Sequence, residues 1–282
     1  MCSPKVMHCV RERVQREGLP GMSRRSFLQL GAASALGALA ASLVKTGGVA
    51  RANSKLKVID LSHVFGTTIP TYLPGEKPKR EDFVTVERDG FYIQRWIYTE
   101  HAGTHVDIPA HFIGDGKTVD EYPAELLVGP AVVIDISEKA EREADATLDM
   151  RDVEAWERKN GKIPEGAIVF MYSGWDARWD DPIAFRNADA SDVQHYPGFD
   201  AETATFLIEE RKVNGFGVDT LSLDFGASTT FDAHYAILGR GKFGVENVAN
   251  LKQIMGKEAM VVVGLPRWEK GSGGPARVLA LV

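Results

Sequence analysis

Twelve residues, His101-Ala-Gly-Thr-His105-Val-Asp107-Ile-Pro-Ala-His111-Phe112, hold three of the seven histidines and a carboxylate. Any fold for this chain must gather these groups without leaving several imidazoles desolvated and unpaired, which is costly. Two histidines four apart would share one face of a helix. The Ala-Gly-Thr spacer and Pro109 work against a regular helix, so the spacing predicts a turn at Gly103 on which both rings converge. Neutral imidazole and carboxylate are ligands that Zn²⁺ and Mn²⁺ accept, so His101, His105 and Asp107 read as metal ligands. His111 reads either as a further ligand or as an acid/base beside the metal, since imidazole titrates near neutrality.

The first fifty residues are of a different kind. Ser23-Arg24-Arg25-Ser26-Phe27-Leu28, a mild apolar run from Leu30 to Val44, and Ala50-Arg51-Ala52 together read as a twin-arginine signal peptide over residues 1–52. Met1 or Met22 serves equally as its start. The apolar run is short for a membrane span and rich in small residues, so no stable membrane anchor is expected after cleavage. The expected partner is the twin-arginine export machinery and the expected compartment the periplasm. Cleavage would remove Cys2 and Cys9, which leaves only nitrogen and oxygen ligands for a metal. It would also remove eight of the 33 Lys/Arg and two of the 39 Asp/Glu, leaving a formal net charge of −12. So acidic a chain is a poor nucleic-acid binder, because that binding depends on neutralising phosphates.

From Lys57 onward the chain alternates strand and helix patterns. Strands are expected at Val58–His63, Ala131–Ile136, Gly166–Tyr172, Phe216–Asp219, Met260–Gly264 and Ala276–Val282. Helices are expected at 119–127, 148–160, 201–212 and from Ala233, and residues 244–256 read as strand or turn, then helix. Residues 66–80 and 176–198 read as loops. Phe83–Glu87 and Tyr92–Thr99 flank Asp89-Gly90, the pattern of a two-residue hairpin turn. One mixed α/β domain over 53–282 fits this order. The second half offers further polar candidates in Asp219, Ser222 and Asp224, then His234 and Glu246, each ordinary when read alone.

The window His-x-Gly-Thr-His-x-Asp-x-Pro-x-His-Phe resembles the signature of the metal-dependent cyclase/hydrolase family that includes kynurenine formamidase and isatin hydrolase. Asp60-Leu-Ser-His63, Pro197-Gly198, Gly217-Val-Asp219-Thr-Leu-Ser222-Leu-Asp224 and His234-x₁₁-Glu246-Asn247 resemble its remaining motifs. The resemblance implies a swivelling β/β/α fold with a mixed sheet, assembled as a homodimer or homotetramer. It implies one or two divalent ions, Zn or Mn: His101, His105 and Asp107 on the first, with Asp107 bridging to a second held by His234 and Glu246. His111 becomes the catalytic acid/base. Activated water would then open a cyclic or N-formyl amide of a small-molecule substrate. A lactone hydrolase or cyclase/dehydratase on the same site is the alternative reaction, and a non-catalytic periplasmic metal- or ligand-binding protein the alternative class. Tyr72, Trp96, Phe112, Trp175 and Trp179, together with Ser222, are candidates for the substrate pocket.

Overall fold

The computed structural model describes residues 56–282, so the expected signal peptide lies outside the described residues. In chain order the elements are β1 (Val58–Asp60), β2 (Lys79–Val84), α1 (Val86–Asp89), β3 (Ile93–Ile97), β4 (His105–Asp107), β5 (Val128–Asp135), α2 (Ser137–Arg142), β6 (Thr147–Leu148), α3 (Met150–Asn160), β7 (Ile168–Tyr172), α4 (Pro182–Arg186), β8 (Gly198–Phe199), α5 (Ala201–Arg211), β9 (Gly215–Val218), α6 (Asp232–Leu238), β10 (Phe243–Glu246), β11 (Met260–Gly264), β12 (Gly273–Pro275) and β13 (Arg277–Leu281). Two units are distinguished: the hairpin Arg80–Trp96, and a main body of Leu56–Lys79 with Ile97–Val282. Among the described residues no helix is long and apolar enough to cross a membrane.

The main body is built on a nine-stranded mixed sheet in the order β1-β13-β11-β5-β7-β9-β10-β4-β12. Strands β5, β7, β9 and β10 run parallel, and the strands outside them join antiparallel. A parallel strand covered on both faces needs apolar residues throughout, and every residue of β7 is buried. Its side chains alternate between two cores. Val169 and Met171 pack with α3, α5 and α6 through Val153, Leu207 and Ile237. Ile168 and Phe170 face the other way, onto Val106, Val245, Val261 and Val278. These last four come from β4, β10, β11 and β13, so the helix-free face is covered by the sheet curling onto itself. In β9, Gly217 makes room for the Phe170 ring of the adjacent strand, where a Cβ would lie 2.3 Å away.

The mixed α/β class is as expected, and four local expectations are corrected. Asp89-Gly90 is not a two-residue hairpin turn. Thr85 caps α1, its side chain accepting from Arg88 N, and Gly90 closes the helix in the left-handed region at φ 79°. Residues 119–127 give only a 3₁₀ turn at Ala124–Leu127, and 244–256 give β10 followed by a 3₁₀ turn at Leu251–Gln253. The loop at 176–198 contains α4, signalled by Asp181-Pro182 as N-cap and first helical residue.

Candidate metal centre

The strand period builds the site. In β4, His105 and Asp107 point to the helix-covered side while Val106 points into the opposite core. The register with β10 sets Glu246 directly across from His105, so the two side chains share that side. The expected turn is present at Gly103, with φ 68°, and a Cβ there would lie 2.7 Å from the Phe65 ring. Its carbonyl accepts from His105 Nδ1 at 2.9 Å and from Asn247 Nδ2 at 2.9 Å. Helix α6 supplies His234, anchored by Asp224. That carboxylate accepts from Ala233 N, His234 N and, at 2.5 Å, His234 Nδ1.

Four of the expected ligands therefore converge with almost no solvent exposure. His105 Nε2 lies 3.4 Å from Asp107 Oδ1 and 3.3 Å from Glu246 Oε2. His234 Nε2 lies 3.5 Å from Asp107 Oδ2 and 3.3 Å from Glu246 Oε1. Ligands about 2.1 Å from one tetrahedral ion stand roughly 3.4 Å apart, so His105, Asp107 and Glu246 have the spacing of a common cation, while His234 approaches the other oxygen of each carboxylate. Among the described residues the buried Asp107 Oδ2 has no hydrogen-bond partner, which leaves that oxygen available to a cation. His101 Nδ1 approaches Asp107 Oδ1 at 2.7 Å, and His101, Asp107 and His111 form a second group whose ligand atoms lie within 4.8 Å of one another. Asp107 is thus common to both groups, while His105 sits with Glu246 and His234, and His101 with His111.

The electrostatics are those of a cation site. Burial disfavours charge on His105, but Asp107 and Glu246 overcome it and push the imidazole up to about 10. Burial likewise opposes the charge on Asp107, yet His105 with the His101 and His234 contacts holds its carboxyl well below the usual range. His111 differs: burial pushes it down to about 4, so it is neutral at pH 7. Its ring stacks on His101 with centroids 3.7 Å apart.

A cavity of about 250 Å³ opens onto these groups, lined also by Thr71, Tyr72, Leu73, Phe112, Ser222 and Phe231. Phe231 touches both Tyr72 and Phe112, with centroids 6.5 Å and 5.5 Å apart, so three rings form one wall. Trp175 does not reach the cavity. It is buried with Phe185 and Tyr196, and its Nε1 donates to Phe185 O. Trp96 lies on the hairpin, where Arg80 stands over its ring. Sequence reasoning missed Phe231 and Asn247 as lining residues. Their only local signal is position, three residues before His234 and one after Glu246.

Trp179 lines a separate, larger cavity of about 890 Å³, where it stacks on His63 at 3.9 Å. Burial lowers His63 to about 4 from 6.5, against a smaller opposing effect of Asp180. The unfolded chain binds this proton at higher pH than the folded one, so acidification from pH 6.5 towards 4 should cost stability. His63→Phe keeps a stacked ring and removes the titration. Denaturant melts at pH 7 and pH 4.5 should show a smaller acid loss in this variant than in the parent.

The Cyclase family model matches residues 59–225. The chain is 32% identical over 271 residues to isatin hydrolase from Roseibium aggregatum, an alignment covering 90% of this chain and 99% of that protein. It is 29% identical over 224 residues to kynurenine formamidase from Bacillus cytotoxicus, covering 78% and 95%. The crystal structure of an isatin hydrolase bound to the product analogue thioisatinate superposes with a TM-score of 0.77 at 29% identity, covering 93% of this chain and 99% of that one. A family match over more than half of the sequence, with full-length similarity beyond it, shows that this chain belongs to the Cyclase family.

Proposed function

We propose that this protein is a metal-dependent hydrolase that opens a cyclic amide of the isatin type. The observation that carries this reading is the buried Asp107 carboxylate shared by imidazoles of which His101, His105 and His234 line a cavity walled by three aromatic rings. The similarity to isatin hydrolase along nearly the whole chain supports a fused-ring amide over the N-formyl amide suggested by the kynurenine formamidase relative.

His105, Asp107 and Glu246 would hold one divalent cation, Zn or Mn, and Asp107 with His101 or with His234 would reach a second. When bound, such a cation supplies Lewis acidity at a carbonyl oxygen and makes water a stronger acid. Tyr72, Phe112 and Phe231 receive the flat ring and exclude water from one of its faces. His111, neutral and half-buried at the edge of the cluster, takes a proton from the attacking water and returns it to the departing nitrogen. Without that return the amide nitrogen is a poor leaving group. Export by the twin-arginine route to the periplasm, and assembly as a homodimer or homotetramer, belong to the same proposal.

Metal-loaded protein is expected to hydrolyse isatin faster than N-formylkynurenine or simple lactones. His111→Ala should retain the metal and lose about 10²–10⁴-fold in kcat, the usual contribution of a general acid/base. Absence of turnover on every amide, or full activity in His111→Ala, would overturn the assignment.

A further inference from the structure

His101, His105 and His234 each have the outer ring nitrogen occupied, and His101 is held differently from the other two. The Nδ1 of His105 meets a backbone carbonyl and that of His234 meets Asp224, which leaves both Nε2 atoms for the cluster. His101 is reversed: Nδ1 faces Asp107, and Nε2 lies 3.0 Å from the Ser272 hydroxyl. Ser272 Oγ in turn lies 2.6 Å from Glu100 Oε2, and Ser272 N donates to that oxygen at 3.1 Å.

We propose that Ser272 and Glu100 are positioning residues that fix the proton of His101 on Nε2 and so aim its Nδ1 lone pair at the metal centre. This inference rests on the metal-centre reading above. A carboxylate only accepts, so the single hydroxyl proton of Ser272 goes to Glu100. The hydroxyl oxygen is then left to accept, and the nitrogen facing it must carry the hydrogen. By the same rule Nδ1, 2.7 Å from the Asp107 carboxylate, also donates in the metal-free chain, and that Nδ1 proton is the one a cation displaces, leaving a lone pair to ligate. A hydroxyl polarised by a carboxylate is also the stronger acceptor. The residue after Ser272 keeps this geometry possible. A Cβ on Gly273 would lie 2.7 Å from His101 Cε1 and 2.2 Å from Val106 O, so only glycine lets the strand close over the ring. Ser272 lies 171 residues from His101, outside the window that carries the ligands.

Outer partners of metal-bound histidines usually contribute 10–100-fold in metal affinity. The test uses the full chain with ¹⁵N-labelled histidine. Zn²⁺-loaded protein is read by NMR for which His101 nitrogen carries the proton, and Zn²⁺ and Mn²⁺ affinities are measured by chelator competition. The parent should carry the His101 proton on Nε2. Ser272→Ala and Glu100→Ala should both populate the Nδ1–H form and weaken binding by about 10–100-fold. Ser272→Thr, which keeps a hydroxyl, should restore both properties. A parent with the proton on Nδ1, or a Ser272→Ala protein with unchanged tautomer, overturns the proposal whatever happens to affinity. If the parent binds neither ion, the metal-centre reading fails; binding with His101 protonated on Nδ1 overturns the positioning proposal alone.

Discussion

Replacing Asp107 with Asn is expected to abolish metal binding and turnover together, the largest effect of any single substitution in the site. The side chain is fully buried and lies within 3.5 Å of three imidazoles, His101, His105 and His234. Asparagine matches its shape but removes the charge and offers an amide N–H₂ to nitrogens that must present lone pairs. Removing one partner of a buried charge pair costs roughly 3–5 kcal/mol. That is about 10²–10⁴-fold in an equilibrium constant. Because both groups of ligand atoms include Asp107, both should be affected at once. Elemental analysis of the purified variant should find metal well below stoichiometric, and kcat/KM on isatin should fall to background. The fold should survive, since without that carboxylate the buried imidazoles return to their neutral forms. A variant that holds a full complement of metal would exclude Asp107 as a shared ligand.

What the sequence made legible in this site was local. Ala-Gly-Thr before Pro109 was enough to foresee the turn at Gly103, and the two-residue step from His105 to Asp107 suits a strand that shows both to one face. Three things depended on long-range pairing and left almost no local trace. Glu246 faces His105 because β10 aligns with β4 in one register, 141 positions apart in the chain. Asp224 anchors His234 across a loop, and Ser272 meets His101 from a Gly-rich segment between the last two expected strands. Aromatic residues misled for a related reason. Trp175 follows a strand near the motifs, but its indole finds its partner in Phe185 O, inside a satellite core. Composition near a motif does not say which way a side chain points. The hairpin turn was misread because Asp-Gly has two uses: it fits a tight strand turn, but behind Thr85 it ends a helical turn instead.

Gly198 links the fold to the metal centre, and Gly198→Ala should damage both. This residue lies in β8, where Gly198 N donates to Ala146 O and Phe199 N donates to Leu223 O at 2.7 Å. A Cβ on Gly198 would lie 2.2 Å from both the Asp224 carbonyl carbon and Phe225 N. These are main-chain atoms, so no rotamer change relieves the clash, and the segment holding Asp224 must move away from β8. Asp224 is the anchor of His234, accepting from its backbone N and from its ring. Overpacking of this kind costs about 1–3 kcal/mol. In a domain of this size, that lowers Tm by several degrees, at roughly 2–4 °C per kcal/mol. The same shift should rotate the His234 imidazole from its position between Asp107 and Glu246 and weaken Zn²⁺ binding by at least about tenfold, as loss of an outer partner does. Gly114→Ala is the control, because a Cβ there meets nothing within 4 Å. It should leave both Tm and affinity unchanged. If Gly198→Ala loses stability but binds metal as tightly as the parent, His234 holds its position without help from Asp224, and the link from β8 to the metal centre is broken.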